Sequence, residues 1–287
     1  MKSGLQFTLN NDLEPYRSES WAVSSVVFRK KSQFQLIEVI EFLKIGKTLL
    51  LDGCIQFSEY DEAHYHELFV HPACFVVSPQ KVLVLGGGDG GCVRELLRHE
   101  SIKTVIVCEI DEDVITTCKE YFPQVSNGLE DSKVCVIIGD ALDFVKNYVS
   151  TEKFDLILLD LTDLGELSAN LYSSSFFEKL KLLLSSRGLI VIQTSGIYYL
   201  GVEPFNLGKF NASLRQIFRY VRVSYVPIFS YPGAENSFTY CSDFVDLASY
   251  RFSSLPEPSF KDQLTFYTHA YAEACFVLPK RLAKLYA

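Results

Sequence analysis

The sequence has no excess of positive charge: 27 lysines and arginines stand against 35 aspartates and glutamates, a net charge of −8. A surface of that sign repels phosphate backbones, so nucleic acid is not an expected partner, whereas a cationic small molecule suits it. There is no Cys-x-x-Cys pair either. Cys54, Cys74, Cys92, Cys108, Cys118, Cys135, Cys241 and Cys275 are scattered along the chain, several inside apolar runs such as TVIVC and KVCVII. They are expected to be buried reduced thiols, not a disulfide framework or a zinc site. No stretch approaches the roughly 18 uninterrupted apolar residues of a membrane span, and MKSGLQFTLNNDLEPY at the start holds no apolar core of signal-peptide length. The expectation is a cytoplasmic protein without membrane contact. Internal repeats and low-complexity linkers are missing as well.

What is present is an ordinary globular composition, 48% apolar and 22% charged over 287 residues, enough for one large domain or two modest ones. Two patterns divide the chain. Residues 1–75 carry short β-rich segments, WAVSSVVF, FQLIEVIEF and KTLLLDG, broken by Lys, Gly and Asp, which predict an N-terminal domain of antiparallel strands and hairpins. From KVLVLGGGDGG onward, over residues 76–287, apolar strand, turn and amphipathic helix alternate: KVLVL, TVIVCEID, KVCVIIGD, FDLILLD and GLIVIQ are each followed by a helical segment. That alternation predicts parallel pairing with right-handed crossovers, an α/β doubly wound sheet. VRVSYVPIF and NSFTYCS are expected to add antiparallel strands at one edge.

In such a sheet ligands lie at the carboxyl ends of the strands, and four of those ends are acidic. The first runs into Gly86-Gly87-Gly88-Asp89-Gly90-Gly91, whose glycine spacing lets a nucleoside approach backbone at a helix start. Alone, this loop does not separate a dinucleotide site from an adenosyl-sulfonium site. Glu109 follows the second strand, 20 residues past Asp89, where a carboxylate grips ribose hydroxyls. Asp140 follows the third strand, and Asp160, with Asp163 shortly after, the fourth. Asp89 discriminates, because a carboxylate in the loop opposes a pyrophosphate. Together with Asp160 and Asp163 it suits a ligand bearing amines and no acid.

GGGDGG followed by CEID, GDA and a D-x-T-D segment, preceded by LDGCIQFSEYDEAHYHELFVHP and followed by YPG, resembles the polyamine aminopropyltransferases, the spermidine synthase family. The resemblance implies an N-terminal β domain, then a Rossmann-like domain of S-adenosylmethionine-methyltransferase type. It also implies decarboxylated S-adenosylmethionine as co-substrate, with no resident cofactor, and a homodimer or homotetramer; no metal is expected, because His64, His66 and His71 have no second cluster of ligands. By the same resemblance Gln35 and Glu109 bind the donor's nucleoside, Asp140 and Ala141 its adenine, and Asp89 its aminopropyl amine. Gln56, Tyr65, His66, Asp163 and Tyr231 contact the polyamine acceptor, and Asp160 accepts the proton.

The chain departs from the family in the Asp160-Leu161-Thr162-Asp163-Leu164-Gly165-Glu166-Leu167 segment, which lacks the usual prolines, and at Ala272, where a histidine is usual. Missing prolines are expected to loosen that segment. Leu161 and Tyr172 are similar to the branch that makes thermospermine or spermine, while the acceptor expected first is putrescine, giving spermidine. A class I methyltransferase on the same fold and a non-catalytic polyamine-binding relative are the alternatives.

Overall fold

The computed structural model describes residues 6–10, 18–161, 169–194, 196 and 207–286. Its first unit is a five-stranded antiparallel meander of β1 (Gln6–Asn10), β2 (Ser18–Lys31), β3 (Leu36–Phe42), β4 (Gly46–Leu51) and β5 (Cys54–Ser58). Asp52 and Gly53, both at positive φ, close the β4–β5 hairpin, the conformation that suits the right-handed twist of a two-residue turn.

The second unit is a seven-stranded sheet. It contains β6 (Lys81–Gly86), β7 (Thr104–Glu109), β8 (Val134–Ile138), β9 (Phe154–Asp160), β10 (Leu184–Gln193), β11 (Tyr220–Val226) and β12 (Asn236–Ser242), in spatial order β11-β12-β10-β9-β6-β7-β8. Strands β6 to β10 pair in parallel, and β12 and β11 add antiparallel at one side. The helices are α1 (Glu62–Val77), α2 (Gly91–Leu97), α3 (Glu112–Tyr121), α4 (Pro123–Ser126), α5 (Ala141–Asn147), α6 (Ser174–Leu183), α7 (Leu207–Leu214), α8 (His269–Ala274) and α9 (Lys280–Tyr286).

Both faces of the large sheet are covered. Val82, Val84, Val105, Val107, Leu156 and Leu158 point to one core with α1 and α2, while Leu83, Leu85, Ile157, Leu159, Ile190 and Ile192 point to another with α5, α6 and α7. That is why these strands read as continuous apolar runs. The small sheet puts Ile37, Val39, Leu49 and Phe57 against Val114, Cys118 and Phe122 of the α3–α4 region, so the two units share a core.

Helix α1 is buried along almost its whole length. Pro72 lies inside it and has no N–H for the Leu68 carbonyl; Tyr240 Oη of β12 donates to that carbonyl instead, at 2.9 Å. Because α1 packs with the large sheet, we propose that the seam between the units lies at residues 59–61, not at 75. The α6-to-β10 change also comes early: β10 begins at Leu184, which pairs Phe154 ahead of a register irregularity, four residues before GLIVIQ. Of the eight cysteines, all thiols, six are buried as expected but Cys54 and Cys135 are exposed. Cys135 lies on β8, which has no outer neighbour among the described residues, and Cys54 begins the strand that follows the Asp52-Gly53 turn.

Candidate active site

The four acids stand together at the carboxyl ends of the parallel strands. Asp160 ends β9 and Glu109 ends β7; Asp89 sits in the loop after β6, and Asp140 just past β8. The ends of β6 and β9 approach so closely that a Cβ on Gly86, at φ +79°, would lie 2.1 Å from the Asp160 carbonyl oxygen. Gly87 N–H donates to that same oxygen at 3.0 Å. Only glycine fits there.

Asp160 is gripped on both oxygens. Tyr65 Oη of α1 donates to Oδ1 at 2.5 Å, and Cys92 Sγ of α2 donates to Oδ2 at 3.0 Å. Burial, then the negative charge of Asp89, raises the Asp160 pKa above the ordinary carboxylate range despite those donors. A carboxylate of raised pKa is a stronger base.

Asp89 has the opposite balance. Burial opposes its charge, but His66 and the Gly91 amide hold its pKa below the usual value. Gly91 N–H donates to Oδ1 at 2.6 Å, and His66 Nε2 faces the same Oδ1 at 3.5 Å. His66 Nδ1 meets Glu62 Oε2 at 2.6 Å, and Arg94 forks onto Glu62 with contacts of 2.9 and 2.8 Å. Burial pulls the His66 pKa down, yet Asp89 and then Glu62 lift it to about 10. Glu62 is likewise pushed up by burial but held at about 2 by His66 and Arg94.

At the next strand, Glu109 accepts Gly88 N–H at 3.1 Å and Asp111 N–H at 2.9 Å. A Cβ on Gly88 would come within 2.8 Å of Glu109 Cγ, so the glycine permits this approach. Burial nevertheless pushes Glu109 up to about 7. Gln35 does not touch Glu109. Its Nε2 donates to Asp111 Oδ2 at 3.0 Å, beside Ser32 Oγ at 2.7 Å, and Asp111 also caps α3 through the Asp113 N–H. Asp140 caps α5, taking the amides of Leu142 at 2.6 Å and Asp143 at 3.2 Å, and Ala141 is the buried first residue of that helix.

Facing Tyr65, with ring centroids 6.3 Å apart, is Tyr231, whose hydroxyl donates to the backbone carbonyl of Gln56. The Gln56 amide is turned onto Cys54 O at 3.1 Å. Asp61 latches this region: it accepts Ser58 Oγ at 2.7 Å, and both the amide and hydroxyl of Ser230 at 2.8 Å. Tyr65 thus connects Asp160 to Tyr231, and Tyr231 connects to Gln56. His66, expected to meet the amine ligand, is 1% exposed, with carboxylate oxygens of Glu62 and Asp89 at its two ring nitrogens. Asp163 and the Leu164 to Leu167 segment lie outside the described residues.

Sequence reasoning did not single out Glu62, Arg94, Asp111, Asp61 or the Cys92 contact. Glu62 precedes His66 by four residues, the spacing that joins side chains on a helix face, and Asp111 stands one residue before α3 as an N-cap. Those two signals were readable. Among the described residues no three His, Cys, Asp or Glu side chains form a metal-binding group, and no helix is long and apolar enough to cross a membrane.

Comparison with known proteins places the chain in a family. The family model described as spermine/spermidine synthase domain matches residues 62–249, and the spermidine synthase tetramerisation domain matches residues 6–59. The polyamine aminopropyltransferase of Clostridium kluyveri is 35% identical over 262 residues, covering 91% of this chain and 92% of that one. The spermine synthase of Arabidopsis thaliana is 33% identical over 291 residues, covering 99% and 80%. Among solved structures, a spermidine synthase in complex with the transition state analogue AdoDATO matches with a TM-score of 0.89 at 27% identity, covering 99% of this chain and 96% of that chain. The spermidine synthase of Thermotoga maritima matches with a TM-score of 0.85 at 26% identity, covering 99% and 95%. With a family model over most of its length and relatives above 30% identity along nearly all of it, this chain belongs to the spermine/spermidine synthase family, the polyamine aminopropyltransferases.

Proposed function

We propose that the protein transfers the aminopropyl group of decarboxylated S-adenosylmethionine to an amine acceptor, putrescine first, forming spermidine and 5'-methylthioadenosine. Formation of thermospermine or spermine is the second reading, favoured by Leu161 directly after Asp160. The observation that carries the proposal is the pair of acids at the ends of β6 and β9, with pKa values moved in opposite directions. Asp89 stays ionised and suits an ammonium, while Asp160 is made basic. The neighbour solved with a transition state analogue supports the same reading.

An alkyl ammonium, with a pKa near 10.4, has no lone pair to offer at neutral pH. Asp160 takes its proton. The freed nitrogen then attacks the aminopropyl carbon beside the sulfonium; the C–N bond forms as the C–S bond breaks, and its electron pair leaves on sulfur, so methylthioadenosine departs neutral and needs no acid. Holding both reactants in line contributes much of the acceleration. Glu109, with lone pairs left beyond its amide contacts, would accept the ribose hydroxyls of the donor. A methyltransferase would bind S-adenosylmethionine instead. Thermal unfolding tests this: decarboxylated S-adenosylmethionine should raise Tm clearly more than S-adenosylmethionine, and the reverse order would overturn the proposal.

Glu109 supplies a sharper test. Hydroxyl donors favour its ionised form, while in the free protein its pKa is about 7. Donor binding should therefore release a proton, and methylthioadenosine affinity should fall as pH drops below 7, by at most about tenfold per pH unit. Glu109→Gln should weaken methylthioadenosine by ~1.5–3 kcal/mol at pH above 7 and remove that pH dependence. Calorimetry that finds the same affinity and slope in both proteins would contradict the assignment.

The match of residues 6–59 to a tetramerisation domain supports assembly as a homodimer or homotetramer, which sedimentation equilibrium would measure.

A further inference from the structure

A neutral imidazole has one N–H, yet both ring nitrogens of His66 face carboxylate oxygens, Glu62 Oε2 at 2.6 Å and Asp89 Oδ1 at 3.5 Å. Serving both requires the imidazolium. Glu62 is held in place and in charge by the Arg94 fork, 2.9 and 2.8 Å to its two oxygens, and Arg94 Nε is fixed in turn on Glu95 Oε1 at 2.6 Å. The side chains of His66, Glu62 and Arg94 are 2%, 13% and 15% exposed. The order Arg94, Glu62, His66, Asp89 alternates in sign from the surface of α2 to the glycine loop.

We propose that Arg94, Glu62 and His66 are positioning residues, a charge-alternating chain that pins Asp89 by Oδ1 and leaves its Oδ2 directed to the donor's aminopropyl ammonium. Oδ2 of Asp89 carries no hydrogen bond among the described residues, while Oδ1 takes the Gly91 amide and faces His66 Nε2. Space enforces the arrangement. A Cβ on Gly91 would come within 2.3 Å of His66 Cε1 and Nε2, so the ring rests directly on the glycine that follows the loop. If Glu62 loses its charge, the imidazole can keep its single proton on Nδ1 and turn a bare Nε2 toward Asp89. The pin on Oδ1 then becomes a repulsion, and the carboxylate turns or takes up a proton.

This inference rests on the reading that the donor's ammonium meets Asp89, and the test keeps the two apart by using three ligands. Methylthioadenosine lacks the aminopropyl chain, decarboxylated S-adenosylmethionine carries it, and S-adenosylmethionine adds a carboxylate. In Glu62→Gln and Arg94→Gln, decarboxylated S-adenosylmethionine should bind about tenfold or more weakly, the scale of a lost hydrogen bond to a charged group, with methylthioadenosine unchanged within about twofold. Arg94→Lys, which keeps the charge but not the fork, should recover part of the loss and carries the test should Arg94→Gln not fold. Equal weakening of methylthioadenosine and the decarboxylated donor would mean that the chain only supports the fold. No weakening of either would mean that it is idle, and both results overturn the proposal. Wild-type protein that fails to distinguish decarboxylated S-adenosylmethionine from S-adenosylmethionine would instead remove the underlying reading.

Discussion

Asp160→Asn is expected to keep the fold and the donor affinity and to lower kcat by about 10²–10⁴-fold, the usual range for a lost general base. The amide oxygen can still accept the Tyr65 hydroxyl, so the 2.5 Å contact that ties α1 to β9 has a replacement. What disappears is the basic oxygen whose pKa burial and Asp89 together raise. The acceptor ammonium then keeps its proton, and no lone pair reaches the sulfonium carbon. Single-turnover kinetics would separate this from a binding defect. A variant that loses donor affinity while its kcat stays at the wild-type value would refute the role.

Asp89→Asn should act on choice of donor. In the wild-type protein the carboxylate of S-adenosylmethionine would come close to Asp89, and two unit charges at about 4 Å repel by roughly 4 kcal/mol at an effective dielectric of 20. His66 behind Asp89 offsets part of that charge. Even a quarter of it leaves a preference of about fivefold for the decarboxylated donor. Asparagine removes both the attraction for the ammonium and the repulsion of the carboxylate, so the two affinities should converge, mainly through weaker binding of the decarboxylated form. Paired titrations that leave their ratio unchanged would contradict the assignment.

Much of this site was readable because acids that immediately follow apolar strands are placed by the sheet itself. Glu109 and Asp160 end β7 and β9, and Asp89 and Asp140 lie in the turns after β6 and β8. A parallel sheet buried on both faces leaves a period-free apolar run and a polar end, both visible in one dimension. Helix α1 was harder to assign. Its residues 65 to 74 are buried, so no polar face marks the helical period, and Pro72 lies inside it, where Tyr240 supplies the missing donor. The seam at residue 75 was expected for the same reason.

Contacts between distant segments explain the rest. Arg94 reads as the first charged residue of an amphipathic helix until α1 crosses α2 and brings Glu62 to it. The same crossing sets His66 between Glu62 and Asp89, a contact the sequence does not show. Gln35 is joined to Glu109 through Asp111, a link between segments 76 residues apart. Cys92 resembled any buried thiol before the closeness of β6 and β9 put its sulfur 3.0 Å from Asp160.

The central claim is that two acids at these strand ends move an aminopropyl group. It is tested most directly by incubating the whole protein with decarboxylated S-adenosylmethionine and, separately, putrescine, spermidine or agmatine, then identifying the products by mass spectrometry. The account predicts one aminopropylated amine for each methylthioadenosine released, with putrescine converted to spermidine. Bound donor with no aminopropylated product from any acceptor, or a methylated product when S-adenosylmethionine replaces the donor, would contradict it.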